Sequence, residues 1–126
     1  MAAKRILIID DSDLIRMVVK AGLEQTTAWE ILMAASAREG LVTAAAERPD
    51  AILLDVEMPD MDGPAAYRAL QTGSATRSIP VIMLTATGRT AERQRLADLG
   101  VTAIVDKPFD PAQLAGQIAA CLGWGV

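Results

Sequence analysis

Along this chain, short runs of β-branched and large aliphatic residues alternate with longer stretches of helical periodicity. Arg5–Asp10, Glu30–Ala34, Ala51–Asp55, Val81–Thr85 and Thr102–Asp106 have the length and composition of buried strands. Between the first two, Leu14, Ile15, Val18, Val19 and Leu23 form one helical stripe, and Leu41, Val42 and Ala45 form a smaller one before the third. Helix starts agree with this reading. Ser36 with Glu39 makes a capping box, Gly63-Pro64 opens a third helix, and Asp110-Pro111 with Gln113 opens the last. Strands separated by helices of this length give a parallel sheet covered on both faces by right-handed crossovers, a doubly wound α/β architecture. No linker, repeat or low-complexity tract divides residues 1–126, which are expected to form a single domain.

Composition narrows the function. With 126 residues and 52% apolar side chains the chain can fill one core, and with 3% aromatics that core is built from Ala, Leu, Ile, Val and Met. A net charge of -4 and a pI near 4.7 argue against direct binding of nucleic acid, which needs a basic face. Apolar runs fall short of the roughly 18 residues of a membrane span, and MAAKRILIIDD lacks a signal-peptide core, so a cytoplasmic protein without a membrane partner is expected. Cys121 is at helical spacing with Leu114, Ile118 and Leu122, which predicts a buried structural thiol. Histidine is absent, so acid-base or metal chemistry must run on carboxylates.

In doubly wound folds ligands bind outside the carboxyl ends of the strands, near the switch in strand order. Here the first strand ends in Asp10 and Asp11, the third in Asp55, the fourth in Thr85 and the fifth in Asp106, Lys107 and Pro108. A carboxylate at the end of ILLD, a buried run, costs free energy unless a cation or hydrogen bonds meet it. Three carboxylates on one rim repel one another unless a hard divalent cation sits among them, and Mg²⁺ fits that donor set better than zinc. Lys107 adds a positive charge suited to a phosphate or to Asp55 itself, and Thr85 offers a hydroxyl donor.

The DD pair, LLDVEMPDMDG around Asp55, LTA at Leu84–Ala86 and DKPF at Asp106–Phe109 resemble the receiver domain of two-component response regulators, over the whole chain and in the family's order. The resemblance implies a five-stranded, flavodoxin-like sheet of order 2-1-3-4-5. It also implies that Asp55 accepts a phosphoryl group from a phosphohistidine of a sensor histidine kinase or phosphotransfer protein. Asp11 and Asp55 would bind Mg²⁺ directly, Asp10 through a water, and the backbone carbonyl of Glu57 would complete the protein ligands. Lys107 would contact the phosphoryl group, Thr85 would shift toward it on activation, and the Lys107-Pro108 bond is similar to one that is cis in the family. The implied role is signalling, with the domain catalysing its own phosphorylation and dephosphorylation, and not conventional enzymology.

Two positions depart from the family pattern. Ile104 stands where an aromatic ring often swings inward, and Glu57 stands two residues after the acceptor, where an ion pair with Lys107 is expected in the free state. The chain stops at Val126, which reads as a stand-alone regulator, although a domain excised from a longer protein would look the same. Its downstream protein target is expected on the face made by the fourth helix (near Thr90 to Leu99), the fifth strand and the fifth helix, with Arg89, Arg93 and Arg95 as a solvated face. Two other classes fit parts of the pattern. A receiver-fold docking module that is never phosphorylated would not need Asp55, Asp11, Thr85 and Lys107 together. A haloacid-dehalogenase-type phosphohydrolase matches Asp55-Val56-Glu57, but in this chain the DD pair precedes the nucleophile.

Overall fold

The computed structural model describes residues 3–86 and 90–124. Five parallel strands, β1 (Arg5–Ile9), β2 (Glu30–Ala34), β3 (Ala51–Asp55), β4 (Val81–Thr85) and β5 (Ala103–Asp106), form one sheet in the order β2-β1-β3-β4-β5. Five helices connect or follow them: α1 (Asp13–Thr26), α2 (Ala37–Glu47), α3 (Gly63–Thr72), α4 (Thr90–Asp98) and α5 (Pro111–Leu122). The predicted fold class and strand order are both present, each strand lying within a residue of its expected limits.

Strand pleating sorts the core. Ile6, Ile8, Leu53, Ile82 and Leu84 point to one face, where they pack with Val19 and Leu23 of α1 and with Leu114, Ala115 and Ile118 of α5. Leu7, Ile9, Ile52, Leu54 and Met83 point to the other, against Ala37 and Ala44 of α2, Ala66, Tyr67 and Leu70 of α3 and Leu96 of α4. Each fully buried aliphatic side chain contributes about 1.5–3 kcal/mol, and the central strands are buried along their whole length because both faces are covered.

The helices correct three of the expectations. Leu14 lies within the predicted α1 stripe yet is 68% exposed, because the buried side of α1 is set by Val19, Gly22 and Leu23. On α2, Val42 and Ala45 face solvent, and the helix packs instead through Ala37, Gly40 and Ala44. A Cβ on Gly40 would come 2.4 Å from Ile9 Cδ1, so glycine is what lets α2 approach β1 this closely. Cys121 is exposed, not buried: it lies past the edge of the Leu114–Ile118 stripe and borders a groove with Phe109 and Gln117.

Strand order reverses between β1 and β3, so the connections leaving their carboxyl ends diverge and open a crevice there. Among the described residues no helix is long and apolar enough to cross a membrane.

Candidate functional site

The crevice is built by four segments, the ends of β1, β3, β4 and β5, that leave the sheet at the same rim. Directly after β1, Asp10 still belongs to the ladder through its N–H, which donates to the Ala34 carbonyl at 3.2 Å, and its side chain is fully buried. One of its carboxylate oxygens accepts from the Ser12 N–H at 2.9 Å. Ser12 in turn caps α1 by accepting from the Ile15 N–H, which fixes the turn that exposes Asp11. Arg16, one turn into α1, donates to the Asp10 carbonyl at 2.7 Å and pairs with Asp13. That tie between helix and strand end was not anticipated from the sequence, where Arg16 reads as an ordinary polar position on the helix.

Asp55 ends β3 and is 6% exposed. Lys107, just after β5, reaches across β4 to place Nζ 3.0 Å from Asp55 Oδ1 and 3.1 Å from Asp10 Oδ2. Its N–H donates to the Thr85 carbonyl at 2.7 Å, so the lysine leaves the sheet in register with the end of β4, where Thr85 is buried. The Lys107-Pro108 peptide is cis. Asp10, Asp11 and Asp55 each offer a carboxylate oxygen within 4.8 Å of the others. This set can hold one hard cation: its donors are oxygens alone, and the single ammonium reaches only two of the three carboxylates.

The electrostatics follow from burial. The Asp55 carboxyl is pushed above the ordinary carboxylate range, chiefly because burial disfavours its charge and also because Asp10 repels it. The Lys107 ammonium and the Glu57 N–H act the other way without cancelling that effect. Burial alone would pull Lys107 down, but its hydrogen bonds to Asp55 and Asp10 and their charges together hold it above the ordinary lysine value. A buried carboxylate whose charge its neighbours do not fully offset is suited to receive a cation.

The expected Lys107–Glu57 ion pair is absent: Lys107 is committed to the two aspartates, and the Glu57 side chain is exposed. Glu57 instead borders a cleft of about 470 Å³ between the 56–62 loop and α4, lined also by Met58, Pro59, Asp62, Glu92 and Arg95. Arg93 bonds to Asp106 at 2.6 Å and Arg95 pairs with Glu92 at 3.4 Å, so the arginines of α4 are tied to nearby acids as well as solvated; Arg89 lies outside the described residues. Ile104, in register with Met83, is half-buried beneath α4.

A parallel sheet of this order, with three aspartates and a lysine on its switch-point rim, defines a class of phosphoryl-accepting signalling domains, and the chain belongs to it: the family model of the response regulator receiver domain matches residues 6–119. Among curated relatives, it is 34% identical over 122 residues to the phosphate regulon transcriptional regulatory protein PhoB of Pseudomonas aeruginosa, covering 97% of this chain and 53% of that protein. It is 34% identical over 118 residues to the transcriptional regulator RpaA of Synechocystis, covering 94% of this chain and 48% of the relative. The chain thus spans about half the length of the curated relatives it matches. Among solved structures it resembles the chemotaxis protein CheY4 of Vibrio cholerae, with a TM-score of 0.88 and 32% identity over 95% of this chain and 99% of that one. The receiver domain of a Pseudomonas aeruginosa sensor histidine kinase, solved with a magnesium ion in its active-site cleft, gives a TM-score of 0.85 at 28% identity over 97% of this chain and 99% of that one. Receiver domains are phosphoacceptor signalling domains of two-component systems.

Proposed function

We propose that Asp55 is the phosphoacceptor, and that residues 1–126 work as one receiver domain in the cytoplasm, taking a phosphoryl group from the phosphohistidine of a sensor kinase or phosphotransfer protein. The observation that carries this reading is the buried carboxylate of Asp55 at the switch point, 3.0 Å from the Lys107 ammonium and within 4.8 Å of the carboxylates of Asp10 and Asp11. A carboxylate oxygen of Asp55 attacks phosphorus in line with the leaving imidazole. The phosphorus–nitrogen bond breaks, the nitrogen takes up a proton, and an acyl phosphate remains on Asp55.

Asp11 and Asp55 would hold Mg²⁺ directly, with the Glu57 carbonyl as a further ligand and Asp10 as its outer partner; when bound, the ion neutralises charge on the transferring phosphoryl oxygens. Arg16 and Ser12 keep the Asp10–Asp11 turn in place through the Asp10 carbonyl and carboxylate. Lys107 exchanges its bonds with Asp10 and Asp55 for a phosphoryl oxygen as the acceptor loses its charge. Thr85, at the end of the neighbouring strand, would shift toward that group and donate to it, and this movement transmits the change toward α4 and β5. Ile104 has no ring to swing, so the output depends on movement of the strand end and of α4 itself. The downstream target is a protein that docks on the α4, β5 and α5 face.

Such a domain catalyses its own phosphorylation by small donors, and this supplies the test. Acetyl phosphate with Mg²⁺ is expected to label the protein in a form that hydroxylamine removes, and chelation of the metal is expected to prevent labelling. Equal labelling with and without metal would defeat the proposal.

A further inference from the structure

The four N–H groups of an α-helix's first turn have no partner within the helix. In α2 the cap Ser36 satisfies one of them, its Oγ accepting from the Glu39 N–H, while the Gly40 N–H already makes the first rung of the helix to the Ser36 carbonyl. Two more are met from another part of the chain. Asp60, in the loop that follows Asp55, accepts from the Ala37 N–H at 3.2 Å through one carboxylate oxygen and from the Arg38 N–H at 3.0 Å through the other. These bonds hold the Asp60 carboxyl below the ordinary carboxylate range, the Arg38 bond most of all.

The same loop is tied at its far end, where the Gly63 N–H donates to the Val56 carbonyl at 2.7 Å and Asp62 caps α3 through the Ala65 N–H at 2.8 Å. That end is pressed against the strand: a Cβ on Gly63 would lie 2.8 Å from Val56 Cα. The middle of the loop, which begins with Glu57, has a different anchor. Met61 packs on the core from the loop's inner side, and Asp60 is the polar tie from the loop to α2.

We infer that Asp60 is a positioning residue for the phosphoacceptor site: by docking on the first turn of α2 it holds the 56–62 loop, and with it the Glu57 carbonyl, in register with Asp55. The inference rests on the metal-ligand set given under Proposed function. It has a reciprocal consequence. If the docked loop binds the ion more tightly than the undocked loop, the ion must favour docking by the same factor. Occupancy of the site is therefore felt at the N-terminus of α2, an element that supplies none of the ligands.

The test uses the full chain and Mg²⁺ alone, with amide signals followed by NMR during titration and during hydrogen exchange. Asp60→Ala is expected to raise the Kd for Mg²⁺ roughly ten-fold, the lower end of the range for groups that orient metal ligands. Asp60→Asn, which keeps one accepting oxygen, falls between it and the wild type. Ser36→Ala removes a cap from the same helix end without touching the loop, and it keeps the wild-type Kd. Mg²⁺ slows exchange at the Ala37 and Arg38 amides in the wild type and in Ser36→Ala, but not in Asp60→Ala. A wild-type Kd in Asp60→Ala, or an equal loss of affinity in Ser36→Ala, overturns the positioning role while leaving the site intact. A wild type that binds no Mg²⁺ at millimolar concentration overturns the site assignment, and the inference with it.

Discussion

Removing the Lys107 charge tests how this site is balanced. In Lys107→Met the aliphatic stem is kept and the ammonium is lost, which leaves the buried carboxylates of Asp10 and Asp55 facing each other without their shared partner. Two contacts at 3.1 and 3.0 Å are broken, one of them to a fully buried carboxylate. Breaking a buried pair from one side costs about 3–5 kcal/mol. The Lys107 side chain is 19% exposed, however, so water can approach the vacated position, and about 2–3 kcal/mol is the better expectation. That is a large share of the roughly 5–15 kcal/mol by which such a domain is stable. With a urea m-value of about 1–3 kcal/mol/M, the midpoint should fall by on the order of 1–2 M in chelator. Mg²⁺ should reverse much of the loss, since a ligand at a hundred times its Kd stabilises by about 2.7 kcal/mol. Its effect should be larger in the variant than in the wild type, where the ammonium competes for the same two carboxylates. The assay is urea unfolding followed by circular dichroism, with chelator and with saturating Mg²⁺. An unchanged midpoint in chelator, or a Mg²⁺ effect no larger than in the wild type, would refute the reasoning.

In the wild type, Mg²⁺ should raise the melting temperature and Asp11→Asn should blunt that rise; a flat titration of the wild type would count against the cluster as a metal site. Because the Asp55 carboxyl is raised in the folded state, the native protein binds more protons than the unfolded chain between the ordinary value of 3.8 and the raised one. Metal-free stability should therefore carry an Asp55 contribution that improves as pH falls through that window, seen as a difference from Asp55→Asn in thermal unfolding measured against pH; parallel curves would contradict it. Glu57 is exposed and unpaired with Lys107, so Glu57→Gln should speed acetyl-phosphate labelling only modestly, and progressively less as ionic strength rises, because salt screens an exposed charge. A large acceleration that persists in salt would place the carboxylate on the donor's path. Gly40→Ala should cost about 1–3 kcal/mol by overpacking against Ile9, measured by urea unfolding, and a neutral result would mean that α2 shifts freely.

Much of this architecture is written in local pattern. The strands are readable because each is a short, mostly aliphatic run, with β1, β3 and β4 buried on both faces, and the ends of four of those runs carry the polar residues that meet at the rim. What pattern could not carry were the choices made by packing between distant elements. The α2 face was misread because Ala and Gly, not Val42, carry the contact, and small residues give a weak periodic signal. Gly63 opens α3 as its sequence context suggests, but the reason for glycine there is a close approach to Val56 that excludes a side chain, at a φ that is not positive. Lys107 does meet Asp55, as its position at a strand end suggests, but not Glu57; the stem length and the register with Thr85 deliver Nζ to Asp55 and also to Asp10, 97 residues away, a partner that no sequence pattern signals. Arg16 and Asp60 are ordinary in sequence, and their bonds to the Asp10 carbonyl and to the α2 amides exist only once the chain is folded.

The most direct test of the central claim is to find which residue carries the phosphoryl group. After labelling with acetyl phosphate and Mg²⁺, reduction of the acyl phosphate with borohydride converts the modified aspartate to homoserine, and peptide mass spectrometry locates it. Conversion is expected at Asp55 alone, and none in Asp55→Asn, if Asp55 is the acceptor. Conversion at Asp10 or Asp11, or labelling of Asp55→Asn to the wild-type extent, would contradict that assignment.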